Sequence, residues 1–569
     1  MSEDRLPPLS ASVMRQRTVS FVQNTSTMIS QLDGHEDPIE TSSSEQSVDI
    51  EKRQPGPTSL RRADSQYDRA FQRTQSALSV VRSRPEDFGG FTHPYAHEKT
   101  DEKYLVDFDG DDDPYRPLNW AMKKKVITTF LYALTAMGST LASSIYSPGA
   151  ESIREQFGVS DIVSRLGTAL LLFGFATGPL IWAPLSELYG RKPTVLLPYT
   201  IAAIFSFACG AGDNIETILI SRFFLGFFAS APVTNTGGVL GDLFSAEQRG
   251  VAMVGYAIAV LGGVPLGPII GGALVETQGT SGWRWTQYIT GIFMLLVLTL
   301  DLLFIDETYA PKILVTKAVR LRHQSGNYAL HASHEEWEPS LQELGNKYLI
   351  RPWQILFTPI CSLVCTYACF VYGILYSTLG AFPHIYQTQR GMNKILGALP
   401  FLALFVGILL GALFLLANQR YYFRKFKQNG NRPVPEARLP PMIFGSIIFA
   451  TGLFIFAWTA PPPVPLSASI LAAVLIGIGF FTIFQPALNY LVDTFHPYSA
   501  SCVASLTFCR SLMAGCFPLF IAGMLDALGV QWGMTVWAGF GTLMIPVPVL
   551  FFFFGKGIRA RGRWSRHSV

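Results

Sequence analysis

Long stretches without a single charged residue constrain the fold of this chain more than any other feature. Residues 126–148 contain no Asp, Glu, Lys or Arg, and these roughly 23 residues suffice to cross a hydrocarbon core of about 30 Å as a helix. Residues 527–555 form another such stretch. Charged residues make up only 15% of the 569 residues, against about 25% in soluble proteins, so a soluble fold could not cover its surface. The sequence therefore predicts an all-α membrane protein.

The apolar stretches predict twelve transmembrane helices, which we number as spans 1 to 12. Short turns separate several of them, and the prolines at 461–465 mark the turn between spans 9 and 10. The predicted positions are 126–147, 165–185, 194–212, 217–242, 250–275, 284–306, 356–380, 395–417, 440–460, 466–492, 500–526 and 531–555.

These spans are expected to form two six-helix bundles, at 126–308 and 354–555, joined by a central loop at 309–353. Residues 1–125 are polar and lack hydrophobic periodicity, which predicts a disordered cytoplasmic tail, and residues 556–569 form a short second tail. Six spans on each side of a long loop is the layout of the major facilitator fold, in which two parallel halves enclose a site near the membrane midplane.

Basic residues in the loops predict the orientation, because Lys and Arg are enriched on the cytoplasmic side of membrane proteins. They precede span 1, lie in the loops after spans 2, 6 and 8, and follow span 12, whereas the loops after spans 3, 9 and 11 contain none. Both termini are therefore predicted to be cytoplasmic. We call the side that carries these basic loops the basic end of the bundle, and the other side the opposite end.

The loop between spans 2 and 3 combines a carboxylate, a glycine turn and two cations, at Glu187, Gly190, Arg191 and Lys192. This order suits a short hairpin that locks one conformation through ion pairs. The alternative is a plain turn with basic membrane anchors.

Two arginines lie inside apolar spans, where a charge is costly enough to indicate function. Arg222 lies in span 4 and Arg510 in span 11. Asp242 follows Arg222 by about 20 residues, or roughly 30 Å along a helix. It is either an ion-pair partner for the basic loop or a carboxylate solvated at the membrane interface.

Span 5 contains a run of glycines and prolines, namely Gly263, Pro265, Gly267, Pro268, Gly271 and Gly272. Three of the glycines are four residues apart, so they share one helix face and admit a neighbouring backbone, while the prolines kink the helix. Small-residue packing explains the glycines but not the added prolines.

Together these motifs resemble the fungal twelve-span drug:proton antiporters of the major facilitator superfamily. The loop at 183–193 is similar to the superfamily's signature loop, with Ala183 in place of Gly and Glu187 in place of Asp. The run in span 5 matches the antiporter motif at its glycines and at Pro268. The resemblance covers about residues 113–560 and implies export rather than uptake, driven by the proton gradient without a cofactor.

The resemblance also implies alternating access, in which a proton from outside binds a buried group and its release inside resets the carrier. No carboxylate lies clearly at the midplane by the predicted boundaries, so the proton-carrying residue stays open. The residues that we assign to conformational change or proton coupling are Glu187, Gly190, Arg191, Arg222, Asp242, Gly263, Gly267, Pro268, Gly271, Gly272, Asp301 and Arg510.

On this reading an apolar, aromatic cavity between the bundles would accept lipophilic drugs, toxins or secondary metabolites. Each candidate wall residue has packing as its alternative role, since membrane helices bury many Tyr and Phe side chains. The candidates are Tyr146, Asn235, Tyr372, Tyr376, Gln485, Asn489 and Phe508.

Two other functions stay open. A polyamine or other organic-cation exporter of the same family would need acidic residues facing the cavity, and a transporter-fold sensor would not transport at all. The sequence has no Gly-rich phosphate loop and no catalytic cluster, so we expect neither ATP-driven pumping nor an enzyme.

We expect a monomer that spans the lipid bilayer of the plasma membrane, with the vacuolar membrane as the alternative. Its ligands would be protons and small lipophilic substrates, and a net charge of +4 gives no reason to expect a nucleic-acid partner. The seven cysteines are interpreted as packing residues rather than metal ligands. Ser20, Ser65 and Ser76 each follow an Arg by three residues, a spacing that kinases could read.

Overall fold

The computed structural model describes residues 104–110, 112–336, 345–430, 432–562 and 564–565. In the first half, the helices are span 1 (Met122–Ser144), span 2 (Asp161–Thr177 and Pro179–Tyr189), span 3 (Arg191–Ala211), span 4 (Ile215–Leu243), span 5 (Ala246–Gln278) and span 6 (Gly282–Phe304). In the second half, they are span 7 (Pro359–Phe382), span 8 (Leu399–Gln428), span 9 (Leu439–Thr459), span 10 (Leu466–Thr494), and spans 11 and 12 within Ser499–Met544 and Pro546–Arg561.

The number of membrane crossings agrees with the sequence. Nine helical stretches of the described chain, or ten with the bent pair of span 2, are long and apolar enough to cross a membrane. Two of them run for 57 and 63 residues, Gln248–Phe304 and Ser499–Arg561, more than twice the ~20 residues of one crossing. Each turns back at a glycine with positive φ, Gly279 (60°) and Gly529 (74°), where other residues would be strained. The prediction of twelve spans is therefore confirmed.

Span 2 differs from the single helix predicted at 165–185. It bends by 41° between Asp161–Thr177 and Pro179–Tyr189, because a proline ring has no N–H to donate and clashes with the carbonyl one turn earlier. Pro179 becomes the first residue of the second helix, a position where its missing N–H costs nothing.

Apolar side chains cover the outside of the bundle. Leu197, Leu303 and Phe553 are 64%, 70% and 71% exposed, and they belong to spans 3, 6 and 12. Soluble proteins seldom expose apolar surface on this scale, so this surface is suited to lipid tails. The described chain is thus a multi-pass membrane protein.

Spans 2 and 11, and spans 5 and 8, form the interface between the two halves. A Cβ atom added at Gly515 of span 11 would lie 2.6 Å from the Phe173 ring of span 2, and one at Gly262 of span 5 would lie 2.5 Å from the Phe405 ring of span 8. At both places a glycine in one half leaves room for an aromatic ring of the other half, as expected for close-packed interiors.

The part of the N-terminal tail that the structure describes differs from the prediction of disorder. Leu105 pairs with His331 in an isolated parallel bridge, and Val106 packs against Ala318 of the central-loop helix, Ala310–Ser325. Lys317 of that helix lies 3.2 Å from the Asp109 carboxylate. These contacts join residues distant in sequence, so composition alone could not reveal them. The proposed kinase sites Ser20, Ser65 and Ser76 lie outside the described residues.

Candidate functional site

A small cavity lies where the two halves meet. Its walls combine apolar surface, several hydroxyl groups and one guanidinium group. Thr140, Leu172, Phe175, Pro179, Ser230, Val233 and Thr234 line it from spans 1, 2 and 4, and Tyr372, Thr507, Arg510 and Ser511 line it from spans 7 and 11. Because both halves contribute, a rocking motion of one half against the other would expose the cavity to one side of the membrane at a time.

Four aromatic side chains on spans 7 and 10 form the aromatic cluster behind one wall. The ring of Tyr372 lies 5.3 Å from that of Phe484, 5.3 Å from that of Tyr376 and 6.1 Å from that of Phe480. The Arg510 guanidinium carbon lies 4.9 Å from the centre of the Tyr372 ring and 5.3 Å from that of Phe484. These are cation–π distances, so the guanidinium is held beside the cavity.

Two of the seven wall residues proposed from the sequence lie at or directly behind this site, and two others lie in span 10 without a contact to it. Tyr372 lines the cavity, and Tyr376 lies behind it in the aromatic cluster. Gln485 directly follows Phe484 in span 10 and is buried, and Asn489, one turn further on, is half-buried. Neither of these two side chains forms a hydrogen bond with a described residue of the cavity wall.

The other three proposed wall residues lie elsewhere. Tyr146 is buried in the first half, where it donates a hydrogen bond of 3.0 Å to a carbonyl of span 2. Asn235 donates a bond of 3.5 Å to a carbonyl of span 3. Phe508 meets Trp353 of the central loop edge-to-face at 5.1 Å. Their side chains pack between helices in these contacts.

The sequence did not reveal the hydroxyl groups of the cavity wall. Small polar residues are common wherever membrane helices pack closely, so their type carries little information. Only the rotation of each helix in the folded bundle shows which ones face the cavity. The residues missed for this reason are Thr140, Ser230, Thr234, Thr507 and Ser511.

Spans 1 and 7 connect the two halves on the side of the opposite end. The Ser143 hydroxyl lies 2.8 Å from that of Tyr376, and the Ser147 hydroxyl donates a bond of 2.9 Å to the Leu379 carbonyl. Further out, the Lys394 ammonium lies 3.4 Å from the Glu151 carboxylate. These contacts hold the halves together on one side of the cavity.

At the basic end, Arg191 is the centre of a cluster within the first half. Its guanidinium lies 3.2 Å from the Asp242 carboxylate at the end of span 4 and donates a bond of 2.5 Å to the Ser186 hydroxyl. The loop of span 2–3 is thereby tied to span 4. The ring of Tyr309, after span 6, lies 4.9 Å from the guanidinium carbon.

Glu307, which the sequence analysis did not single out, caps the same cluster. Its carboxylate accepts hydrogen bonds from the backbone N–H groups of Arg191 (2.9 Å) and Lys192 (3.1 Å), the first residues of span 3. These groups have no partner within their own helix, and a carboxylate also suits the positive end of the helix dipole. Gly190 has φ 98°, and a Cβ there would lie 2.6 Å from this carboxylate, so the position requires glycine.

Glu187 points away from that cluster and connects the first half to the central loop. Its carboxylate lies 2.8 Å from the Lys347 ammonium and accepts a hydrogen bond from the Tyr348 hydroxyl. The carbonyl of Lys347 in turn accepts a bond of 3.2 Å from Ser501 of span 11. Burial, and then the hydrogen bond to Glu187, raise the pKa of Tyr348 well above its ordinary value, so the hydroxyl stays protonated and donates. This chain of contacts links the two halves at the basic end.

Weakening that link should loosen the basic end. With Glu187→Gln, we expect amide hydrogen exchange at residues 345–350 to rise about two- to fivefold, because a partly exposed ion pair contributes about 0.2–1 kcal/mol. Mass spectrometry of the purified protein measures this rate. Asp161→Asn, which removes an ion pair with Arg165 at the start of span 2, is the matched control and should leave the segment unchanged. Equal exchange rates at residues 345–350 in the parent protein and both variants would show that Glu187 does not hold this segment in place.

The second half has a counterpart of the Arg191 cluster. Arg438, just before span 9, lies 3.0 Å from the Asp493 carboxylate at the end of span 10, and the Tyr422 hydroxyl donates a bond of 3.0 Å to the same carboxylate. Spans 9 and 10 occupy the places in this half that spans 3 and 4 occupy in the first. Comparing the two halves of the sequence position by position could have revealed this pair.

Arg222 caps a helix end inside the membrane. The side chain is fully buried, and it donates hydrogen bonds to the carbonyls of Ala142 (2.8 Å) and Ser143 (3.4 Å) in the last turn of span 1, where carbonyls lack helical partners. It also donates a bond of 2.9 Å to the Gly167 carbonyl of span 2. The guanidinium carbon of Arg222 also lies 4.6 Å from the centre of the Tyr146 ring. Arg222 therefore holds spans 1, 2 and 4 together.

Asp301 is a buried carboxyl group with a single hydrogen-bond donor. One carboxylate oxygen accepts a bond of 2.7 Å from the Thr135 hydroxyl in the middle of span 1, and the other oxygen has no partner among the described residues. The nearby Tyr199 hydroxyl, which packs against Gly138 one turn along span 1, is also without a partner there. No described cation lies within ion-pair distance of Asp301.

The glycines of span 5 bring that helix against span 1. A Cβ at Gly263 would lie 2.9 Å from the Met137 carbonyl oxygen, one at Gly267 would lie 2.7 Å from the Ile145 nitrogen, and one at Gly271 would lie 2.5 Å from the Ile145 oxygen. All of these are backbone atoms, which cannot rotate away. Pro268 lies within the same helix. Gly272 faces the second half instead, where an added Cβ would lie 3.0 Å from the Lys394 carbonyl oxygen.

Three of the cysteines meet between spans 7 and 11. The sulfur of Cys361 lies 3.6 Å from that of Cys365 and 3.7 Å from that of Cys502. All seven cysteines are free thiols. The three sulfurs are thus close enough for van der Waals contact.

Comparisons with known proteins agree with this architecture. A family model described as Major Facilitator Superfamily matches residues 130–518. The efflux pump bik6 of Gibberella fujikuroi is 48% identical over 476 residues, which cover 84% of this chain and 98% of that protein. The multidrug transporter FLU1 of Candida albicans is 35% identical over 505 residues, covering 87% and 82%.

Solved structures show the same fold at low sequence identity. The xylose transporter XylE from E. coli, in a partially occluded inward-open conformation, matches with a TM-score of 0.52 and 17% identity, over 76% of this chain and 98% of that one. The family match covers most of both bundles, and the two fungal relatives match over 98% and 82% of their own length. The chain therefore belongs to the major facilitator superfamily of membrane transporters.

Proposed function

We propose that this protein exports lipophilic compounds from the cytoplasm in exchange for protons, by alternating access of the cavity between its halves. The observation that carries the proposal is that cavity, whose wall comes from both halves and is apolar, aromatic and hydroxyl-bearing. Such surfaces bind largely by apolar burial, with a few polar groups that orient the ligand. The names of the relatives, an efflux pump and a multidrug transporter, support compounds of this class.

In this mechanism the basic end faces the cytoplasm, as its loop charges favour, and the protein lies in the plasma membrane with both termini inside. The link from Glu187 to Lys347 would then close the cytoplasmic side, and the contacts between spans 1 and 7 would close the outer side. Alternation requires each set of contacts to break in turn while the other holds.

Asp301 is our candidate for the proton-binding residue. An intramembrane carboxyl group is costly to maintain and is a frequent element of proton relays. Thr135 holds one oxygen in place, and the second oxygen is left to bind a proton. Because Thr135 lies in span 1, one turn before the segment that carries Ser139 and Thr140, a change at Asp301 would act directly on a helix that lines the cavity.

The cavity lining argues against a polyamine as substrate. A polycation would require carboxylates in the wall, whereas the residues that line the described cavity include Arg510 and no Asp or Glu. Like charges brought together at a binding surface cost free energy. The remaining alternative is a sensor with a transporter fold. It differs from an exporter because it would transport no compound.

Export is testable in a yeast strain that lacks its own drug pumps. Expression of the full chain should raise tolerance to several chemically unrelated lipophilic toxicants, and lower the cellular content of each at equal external dose. A protonophore should remove both effects within the time needed to collapse the gradient, because no other energy source is proposed.

Three results would count against the proposal. Tolerance confined to spermine or spermidine would favour the polyamine alternative. Efflux that survives the protonophore would exclude proton coupling. No change in the cellular content of any compound, with the protein present in the membrane, would favour the sensor. Gly255→Ala, at a span 5 position with open space around it, is the control for expression and folding.

A further inference from the structure

Three arginines of the described residues differ in what their N–H donors contact. Arg222 donates hydrogen bonds to four acceptor oxygens, and Arg390, at the opposite end, donates to four backbone carbonyls. Both arginines therefore use their donors to hold helices or a loop in place. Arg510 lines the central cavity, yet it donates no hydrogen bond to any residue that the structure describes, and no described carboxylate lies within ion-pair distance.

The ring contacts of Arg510 do not replace those missing partners. A guanidinium has five N–H donors, and a cation–π contact at a partly exposed site contributes only about 0.5–1 kcal/mol. Arg510 is half-buried, so its donors are open to the cavity, and burying them under a bound compound without a partner would cost more than that for each group. The Tyr372 and Phe484 rings therefore position the guanidinium, and its donors remain directed to whatever occupies the cavity.

We propose that Arg510 binds the anionic group of the transported compound, so that the cavity selects lipophilic organic anions with a carboxylate or phenolate on an aromatic body. A planar guanidinium matches a carboxylate through two parallel hydrogen bonds. The aromatic body would contact Tyr372, Phe175 and Leu172, which line the same cavity, once the two halves separate enough to admit it. Hydroxyl groups at Thr507 and Ser511, which lie within one turn of Arg510 on the same helix, supply further donors. The inference rests on the proposed function, because it concerns the same cavity.

Three anthracene derivatives of equal size separate charge from shape. They are anthracene-9-carboxylate, 9-anthracenemethanol and 9-(aminomethyl)anthracene, which are anionic, neutral and cationic at neutral pH. Each is titrated into the purified full-length protein, and its affinity is derived from the rise in the thermal unfolding temperature. We expect the carboxylate to bind about 10- to 100-fold more tightly than the alcohol, as charge-assisted hydrogen bonds to Arg allow, and the amine to bind most weakly.

Two substitutions test the role of the residue itself. Arg510→Gln should reduce the affinity for the carboxylate to that for the alcohol and leave the alcohol unchanged. Arg510→Lys keeps the charge without the planar fork and should fall between the two. The unfolding temperature without ligand reports whether each variant folds, and Arg165→Gln, near the opposite end, is the control that should bind like the parent protein.

Equal affinity for carboxylate and amine, or an unchanged carboxylate affinity in a folded Arg510→Gln protein, would overturn the inference. Equal stabilisation by inorganic phosphate at the same concentration would also overturn it, since the site would then bind charge without an aromatic body. If export of other compounds persists in yeast alongside such a result, only this inference fails. Carboxylate binding without any export would instead refute the proposed function and leave the binding site standing.

Discussion

Replacing Asp301 by Asn is expected to give a carrier that still exchanges its substrate across the membrane but no longer concentrates it. Asn keeps the size of the side chain and can still accept the bond from Thr135, but it cannot gain or lose a proton at neutral pH. A pH difference of about one unit supplies about 1.4 kcal/mol, or about tenfold accumulation for each proton exchanged. In the variant that accumulation ratio should fall to about one.

The measurement uses inside-out vesicles and the compound that gives the strongest tolerance in yeast. Accumulation driven by an imposed pH difference is compared with exchange of labelled for unlabelled compound, which needs no proton. Asp301→Asn should lose the first and keep the second, whereas Asp301→Glu should retain part of both. The control is Asp306→Asn, five residues after Asp301, which removes an exposed ion pair with Lys124. Undiminished accumulation by Asp301→Asn would assign the proton to another group.

Gly267→Ala is expected to give the second-largest effect, although it adds one methyl group. That methyl would lie against the Ser144 hydroxyl and 2.7 Å from the Ile145 nitrogen, so the backbones of spans 1 and 5 must move apart. Overpacking of this kind typically costs about 1–3 kcal/mol. Because span 1 also carries Thr140 in the cavity wall and Thr135 beside Asp301, the displacement should slow transport several-fold as well as destabilise the protein.

Gly255→Ala is the matched control on the same helix, since a Cβ at that position meets nothing within 4 Å. Alanine is the better helix former by about 1 kcal/mol, so this variant should be as stable as the parent or more so. Thermal unfolding of the purified proteins and initial transport rates in vesicles measure the two effects. A Gly267→Ala protein as stable and as fast as Gly255→Ala would show that the close approach is unimportant.

The sequence was most informative where one physical requirement dominates. Each crossing needs about 20 apolar residues, so the spans followed from composition, and the gaps predicted between them contain Gly279 and Gly529. The contact of Arg191 with Asp242 was also within reach, because both lie at helix ends on the same side. The bend at Pro179 was less accessible, since many membrane helices contain proline without a sharp bend.

Other features depend on helix rotation and on pairing between distant segments, which have no local signal. Glu187 has its partner Lys347 in the central loop, where there is no hydrophobic pattern to follow. Asp301 lies only three residues before the end of span 6, a position typical of a solvated interface, yet packing against Thr135 buries it. Phe508 was assigned to the cavity by its span alone, and the rotation of span 11 directs it to Trp353 instead.

The docking of the segment before span 1 bears on how the chain is built at the ribosome. Asp107 accepts a hydrogen bond through its carbonyl from Lys317, 210 residues later. At about 5–20 residues per second, the partner emerges roughly 10–40 s after the segment itself. By then all six helices of the first bundle have been synthesised, so this contact can form only after they have been made. More than half of the 569 residues must therefore be synthesised before the segment ahead of span 1 can reach this partner.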